Sequence, residues 1–329
     1  MAIIITNTVK KEEEVLKLLW ALTIMVSIAS ILGIFVAMGL FNIKFTAPIK
    51  YLIPSNLRSF PYMEIMLYKD FMKLNYLPGL VITSRLRTFF LFSTHYATTL
   101  AMIFPIQLFL LSKYKKTWKR RFLLLSSFLA ITNFILCFAR VALAGAIGGF
   151  LYFAFTSKYK KIKYLSGFVI CFIVLISICY SSTLFSVAKE ILTTRGLTDR
   201  IILYKATIES WKERPLFGWG TQRHIEDSFY PAGSHSTYFA ILYQQGIVGL
   251  IIFLLILGSI YTEVRRVKRL EDRTMKGLID FLAWGFMVSF ISGISECMDL
   301  DVINLHVIWL IWSLIIVLSR RRIAPLPKF

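Results

Sequence analysis

An arginine and a histidine, Arg140 and His235, are the residues of a very apolar chain whose types and positions could do chemistry. Arg140 is the single charge between Phe122 and Phe155. An arginine at the centre of a membrane helix costs at least about 2.5–3.5 kcal/mol unless it faces a partner or water, which points to a function; snorkelling from a helix end to the interface is the competing account. His235, within Ser234-His235-Ser236-Thr237-Tyr238, stands just ahead of a long apolar run. At such a helix start the unbonded N–H groups and the dipole favour an anion and a neutral imidazole. His235 is then a candidate general base, with ordinary N-capping by Ser234 or His235 as the simpler alternative.

Arg200 opens the stretch Arg200 to Pro215, which reads as an amphipathic helix with Ile201, Tyr204, Ile208 and Trp211 near one face, stopped by Pro215. Leu216-Phe217-Gly218-Trp219-Gly220 follows, a turn in which Gly218 and Gly220 let backbone approach a ligand or merely close a helix. Arg85 and Arg87, just before an apolar run, either add to anion binding or anchor that run at the interface. Weaker features have plainer explanations. Asp299-Leu300-Asp301 has metal-binding spacing but reads as a solvated turn, and no metal is assigned. His95 either lines a cavity or is an interior hydrogen-bonded histidine; Asp280 suits a helix N-terminus. Cys137, Cys171, Cys179 and Cys297 lie in or beside apolar runs without a CxxC pair and read as packing residues.

The elements that must position these residues are membrane helices. Of 329 residues 57% are hydrophobic, above the roughly 45–50% of soluble domains, and the excess falls in runs of about 17–25 residues, enough to cross about 30 Å of hydrocarbon. Spans fall near Val15 to Phe41, Phe89 to Ser112, Phe122 to Phe138, Val141 to Thr156, Tyr164 to Leu184, Tyr238 to Tyr261, Gly277 to Ile294 and Asn304 to Ser319. The first follows Lys10-Lys11-Glu12-Glu13-Glu14 without a small-residue cleavage site and reads as a retained helix. Phe122 to Phe155 is too long for one crossing and reads as two spans meeting near Arg140, although neither Gly nor Pro marks the turn. The expected fold is thus an all-α polytopic membrane protein of about eight helices forming a single domain over residues 1–329, with a large extracytoplasmic loop, 186–237, between the fifth and sixth. The net charge of +20 reports topology instead of nucleic acid: Lys113 to Arg121, Lys158 to Lys163, Arg265 to Arg269 and Arg320 to Arg322 make alternate loops basic. By the positive-inside rule these loops and both termini are cytoplasmic, and Arg140 and the 186–237 loop are outside.

The order of the motifs resembles the O-antigen ligase and O-antigen polymerase superfamily. The resemblance rests on Ala139-Arg140-Val141-Ala142-Leu143, Arg200 followed by Trp211, Pro215 to Gly220, His235-Ser236-Thr237-Tyr238 and Gly246-Ile247-Val248-Gly249-Leu250. It is best over residues 122–255, with Arg85 to Pro105 similar to the preceding helix of the family. Ser236 replaces the family's asparagine, Ala139 replaces a serine, and the amino-terminal helices are fewer, which fits a shortened or inactive member too. The resemblance implies a metal-independent, cofactor-free inverting glycosyltransferase in the bacterial inner membrane, acting at its periplasmic face in lipopolysaccharide synthesis. Its donor would be a glycan on polyprenyl (undecaprenyl) diphosphate and its acceptor lipid A core, or a second lipid-linked repeat unit in a polymerase. In that frame Arg140 and Arg200 bind the diphosphate, His235 activates the acceptor hydroxyl, and Arg85, Arg87, Gly218, Gly220 and Tyr238 are possible substrate contacts. A transporter or flippase would scatter polar residues through the spans and repeat its halves, neither of which is evident.

Overall fold

The structure, a computed structural model, describes residues 12–40, 44–46, 68–70, 72–77, 80–90, 92–115, 117–156, 195–221, 231–269, 273–298 and 302–320, with residues 5, 8, 9, 54 and 55 besides. The elements are α1 (Glu12–Ala37), β1 (Lys44–Thr46), β2 (Tyr68–Asp70), β3 (Met72–Leu77), β4 (Leu80–Leu86), α2 (Ser93–Lys113), α3 (Trp118–Leu136), α4 (Arg140–Thr156), α5 (Arg195–Lys212), α6 (Thr237–Arg269), α7 (Arg273–Ser292) and α8 (Val302–Arg320). Helix dominates, as the apolar runs require. The strands are an addition to the all-α expectation: β1 pairs antiparallel with β2 and β3 with β4, Arg85 standing opposite Lys73. The expected span from Tyr164 to Leu184 and the Asp299-Leu300-Asp301 turn lie outside the described residues.

By length and composition α1, α2 and α6 can cross a membrane, and Arg140–Thr156, Gly277–Ser292 and Ile303–Ser319 are shorter apolar helices. Ile24, Ile28 and Ile31 on α1, Leu124, Leu125 and Phe128 on α3, and Ile251, Ile252 and Leu255 on α6 are exposed. Large side chains exposed in such number along apolar helices mark a lipid-facing surface, so the protein is a membrane protein.

The chain divides into two compact units, residues 1–149, 263–292 and 298–329 in the first, and 150–262 with 293–297 in the second. In the first, α1, α2, α3, α7 and α8 pack on one another, and in lipid such packing relies on polar links and small residues. The Ser27 and Ser126 hydroxyls lie 2.6 Å apart, Gln107 donates to Ser126 at 2.8 Å, and Asn133 donates to the Ser30 carbonyl at 3.0 Å while accepting from Tyr96. Thr99 of α2 donates to Asn304 of α8 at 3.0 Å. Gly149 sits so close to Trp284 of α7 that a Cβ would meet its backbone carbonyl at 2.8 Å. Two ion pairs tie helix ends, Glu12 with Lys113 at 2.9 Å and Asp280 with Lys268 at 2.8 Å. Asp280 thus answers a lysine, beyond the helix-end role its position suggests.

α3 ends at Leu136 and α4 begins at Arg140, so the long apolar stretch does break where length demands it. Phe138 supplies the break with a left-handed backbone, φ 47°, a conformation more often given to glycine.

Candidate functional site

The second unit builds its site on α5. The sequence places Ile201, Tyr204, Ile208 and Trp211 near one face, but Ile201 is 51% exposed, and Leu203 and Thr207 are the fully buried positions among those of α5 whose burial is described. The inward face is set by polar work that hydrophobic periodicity does not report. Thr207 Oγ1 accepts from the Gly233 N–H at 3.0 Å, and the Tyr204 hydroxyl donates to the His235 carbonyl at 2.7 Å. The Tyr204 ring stacks on Phe239 with centroids 4.6 Å apart. Burial raises the Tyr204 phenol above its ordinary value, against the opposing pull of Arg200, so this donor keeps its proton.

His235 has a left-handed backbone, φ 62°, is partly exposed, and lies two residues before α6. It does not cap the helix. Ser236 does, its hydroxyl accepting from the Phe239 N–H at 3.3 Å, the third position of the helix. The simpler account of His235 therefore falls to its neighbour, and the residue that departs from the family pattern takes the structural task. A non-glycine residue held left-handed costs on the order of 1–3 kcal/mol and persists where surroundings impose it, a pattern that clusters at functional sites. Here Tyr204 holds the carbonyl and the Ser234 N–H bonds Pro231 at 3.1 Å.

α6 is not one straight helix. Gly246 breaks it with φ 67° and ψ −166°. The Tyr238 ring meets Phe253 at 5.8 Å, fifteen positions later, where a straight helix would separate them by about 22 Å. Thr237 to Gln245 is therefore a short helix turned back on the remainder, so the expected span from Tyr238 to Tyr261 contains a break: its straight part begins at Ile247, and to Arg269 it is about 34 Å long. The Pro215–Gly220 turn fills the break. Trp219 and Gly220 donate to the carbonyls of Tyr243 and Gln244 at 2.9 and 2.8 Å, and Ile247 and Val248 donate to those of Pro215 and Leu216 at 2.9 and 3.2 Å. The two glycine-containing motifs are thus halves of one backbone junction. Gly218 lies against the break, whereas nothing stands within 4 Å of a Cβ on Gly220. Trp219 is clamped by its own bond to the Ser210 carbonyl at 2.9 Å and by the Arg214 guanidinium 4.3 Å over its ring.

Arg200, half-buried on α5, pairs with Glu296 at 3.1 Å. Glu296 lies in the turn after α7 and carries no sequence signal of its own. Its carbonyl accepts from Thr237 Oγ1 at 2.9 Å and from the Thr237 N–H at 3.1 Å. Arg200, Glu296 and the segment His235-Ser236-Thr237 therefore form one polar cluster. The other expected residues belong to the first unit: Arg140, exposed at the start of α4 and without a hydrogen bond or ion pair among the described residues, Arg85 on β4, and Arg87, buried just after it. His95 is buried with its ring edge-on to Phe92 at 5.3 Å, an interior histidine. Cys137 and Cys297 are buried free thiols, as packing residues should be.

Such a cluster offers a guanidinium for an anion and an imidazole at a helix start for a proton. In comparison with known proteins, residues 125–254 match the family described as O-Antigen ligase, a stretch that contains Arg140, Arg200 and His235 and nearly coincides with the region of resemblance. No curated protein matches the chain.

Proposed function

We propose, from the O-antigen ligase family that residues 125–254 match, that this membrane protein is a glycosyltransferase moving a preassembled glycan from a polyprenyl diphosphate to an acceptor hydroxyl. The observation that carries the reading is the joining of Arg200 and the His235 segment in one cluster, with His235 relieved of capping and held in a left-handed backbone.

His235 takes the proton of the acceptor hydroxyl. The oxygen attacks the anomeric carbon from the face opposite the diphosphate, the glycosidic C–O bond to phosphate breaks, and the configuration inverts. The diphosphate leaves with the bonding pair, and a guanidinium fork stabilises its charge more strongly than a neutral donor would. Arg200 supplies that fork in the second unit; Arg140 takes the same role from the resemblance alone. The positive start of α6 adds to the field. Gly218 packs against the α6 break, and Tyr238 packs on Phe253. The basic loops support a reading in which the amino end of α6 and the α3–α4 turn face the periplasmic side of the inner membrane.

Purified protein incubated with a polyprenyl-diphosphate-linked glycan and lipid A core tests the reading. A core-linked ladder marks a ligase, the function we assign; lengthened lipid-linked chains mark a polymerase. Arg140→Ala, Arg200→Ala and His235→Ala are each expected to abolish transfer while the protein still inserts. Full activity in any of them removes that residue from the mechanism, and no transfer by intact wild type overturns the enzymatic reading in favour of a transporter or an inactive partner.

A further inference from the structure

We propose that Glu296 is a positioning residue for the transfer, holding Arg200 in fixed relation to the segment that carries His235. The inference rests on the function proposed above and adds a residue that no motif contains.

Glu296 works with both ends. Its carboxylate accepts from Arg200 Nη2 at 3.1 Å, and its carbonyl takes both the hydroxyl and the N–H of Thr237, two residues beyond His235. The same turn is tied twice more to that segment: the Gly293 carbonyl also accepts the Thr237 N–H at 2.9 Å, and the Cys297 thiol donates to the Gly233 carbonyl at 3.5 Å. A rigid backbone staple therefore carries the carboxylate, and the carboxylate carries the arginine.

The burial of Glu296 needs an account, because its side chain is only 9% exposed and a buried carboxylate is stable only when paired. Arg200 is that partner. The ion pair engages Arg200 through one of the guanidinium's five N–H groups, and the arginine side chain is 26% exposed. Further donors thus remain for a ligand while the brace stays closed. A long, flexible arginine tethered in this way loses less freedom when a phosphate arrives. A carboxylate that simply competed with the diphosphate for Arg200 would act in the opposite sense, so the two roles separate by the sign of one measurement.

The test measures saturable binding of the polyprenyl-diphosphate-linked glycan to full-length protein in nanodiscs, beside transfer kinetics and melting temperature. Glu296→Ala is expected to weaken binding and raise the donor KM by roughly tenfold, the value of about one charge-assisted hydrogen bond, with kcat within about threefold of wild type. Glu296→Gln, whose amide oxygen still accepts from Arg200, is expected to stay within about threefold of wild type in both. Glu296→Asp, charged but one carbon short, is expected to resemble alanine, and it carries the test if the alanine variant does not fold. Tighter or unchanged binding in Glu296→Ala, or glutamine as impaired as alanine, overturns the positioning role. His235→Ala separates the two claims: it should bind donor and not transfer. If it transfers normally, the general-base reading falls while the Glu296 variants are still judged on binding; a wild type that binds no donor overturns both.

Discussion

At the scale of the residue, the proposed role of His235 predicts that stability and function pull apart. Its left-handed backbone, φ 62°, is a conformation glycine adopts without steric cost. His235→Gly is therefore expected to keep stability within about 1 kcal/mol of wild type, relief of strain roughly offsetting the entropy glycine adds to the unfolded chain, yet to lose transfer completely. Melting curves in detergent and the transfer assay check it; retained transfer would return His235 to the backbone alone. Tyr204 makes a second prediction. Its hydroxyl donates to the His235 carbonyl, so Tyr204→Phe should cost about 1 kcal/mol. The folded state holds the Tyr204 proton more firmly than the unfolded chain, whose tyrosines titrate near about pH 10. Its contribution is then fully present below about pH 10 and is lost as pH rises through the folded value. A pH–stability profile should accordingly fall less steeply above about pH 10 in Tyr204→Phe than in wild type. Arg140 and His235 could be picked out by type and surroundings in the sequence, and Arg200 by its place in the order of motifs. Glu296 could not, because an acid in a turn gains meaning only when folding sets it against Arg200.

At the scale of the element, the apolar runs announce helices reliably because lipid leaves the backbone no other partner. They do not announce where a helix folds back. The run from Tyr238 to Tyr261 reads as one span, and only the pairing of Pro215 to Gly220 across Gly246 explains why two half-helices with satisfied backbone are possible there. Likewise α5 turns Leu203 and Thr207 inward, since the bonds of Tyr204 and Thr207 to the 231–236 turn outweigh the burial of Ile201. The junction predicts an order among glycines. Gly246 and Gly218 combine positive φ with backbone so near that a Cβ would strike it, whereas Gly220 has positive φ and open space. Gly246→Ala and Gly218→Ala should each lower stability by well over about 1 kcal/mol, and Gly220→Ala by about 1 kcal/mol. Equal melting temperatures for all three would mean that the turn does not lock the break.

At the scale of the whole molecule, one arrangement must satisfy both the charge pattern and the chemistry. On the proposed function, the donor's diphosphate, the acceptor and the proton acceptor have to be on the same side of the membrane, and the arginines proposed to bind the diphosphate lie far apart in the sequence. Helix order and the basic loops turn this demand into a prediction. On the proposed topology, α2 ends at Lys113 and α3 begins at Trp118 with Lys119, Arg120 and Arg121, so the α3–α4 turn at Arg140 is expected across the membrane from them; α6 ends at Arg266, Lys268 and Arg269 and α7 begins at Arg273, so the start of α6 and the turn holding Glu296 are expected across from those. Arginine and lysine are retained on the cytoplasmic side with a strength that lone acids do not oppose, and the Lys268–Asp280 pair keeps the α6 and α7 ends in register there. Single cysteines in a background freed of Cys137, Cys171, Cys179 and Cys297 should report it. Phe138→Cys and Gly220→Cys, both exposed, should react with a membrane-impermeant maleimide in spheroplasts, and Lys115→Cys and Arg265→Cys only after permeabilisation. Labelling of 138 without 220, or of 115 before permeabilisation, would put Arg140 and the His235 cluster on opposite faces, where no single glycan transfer could use both.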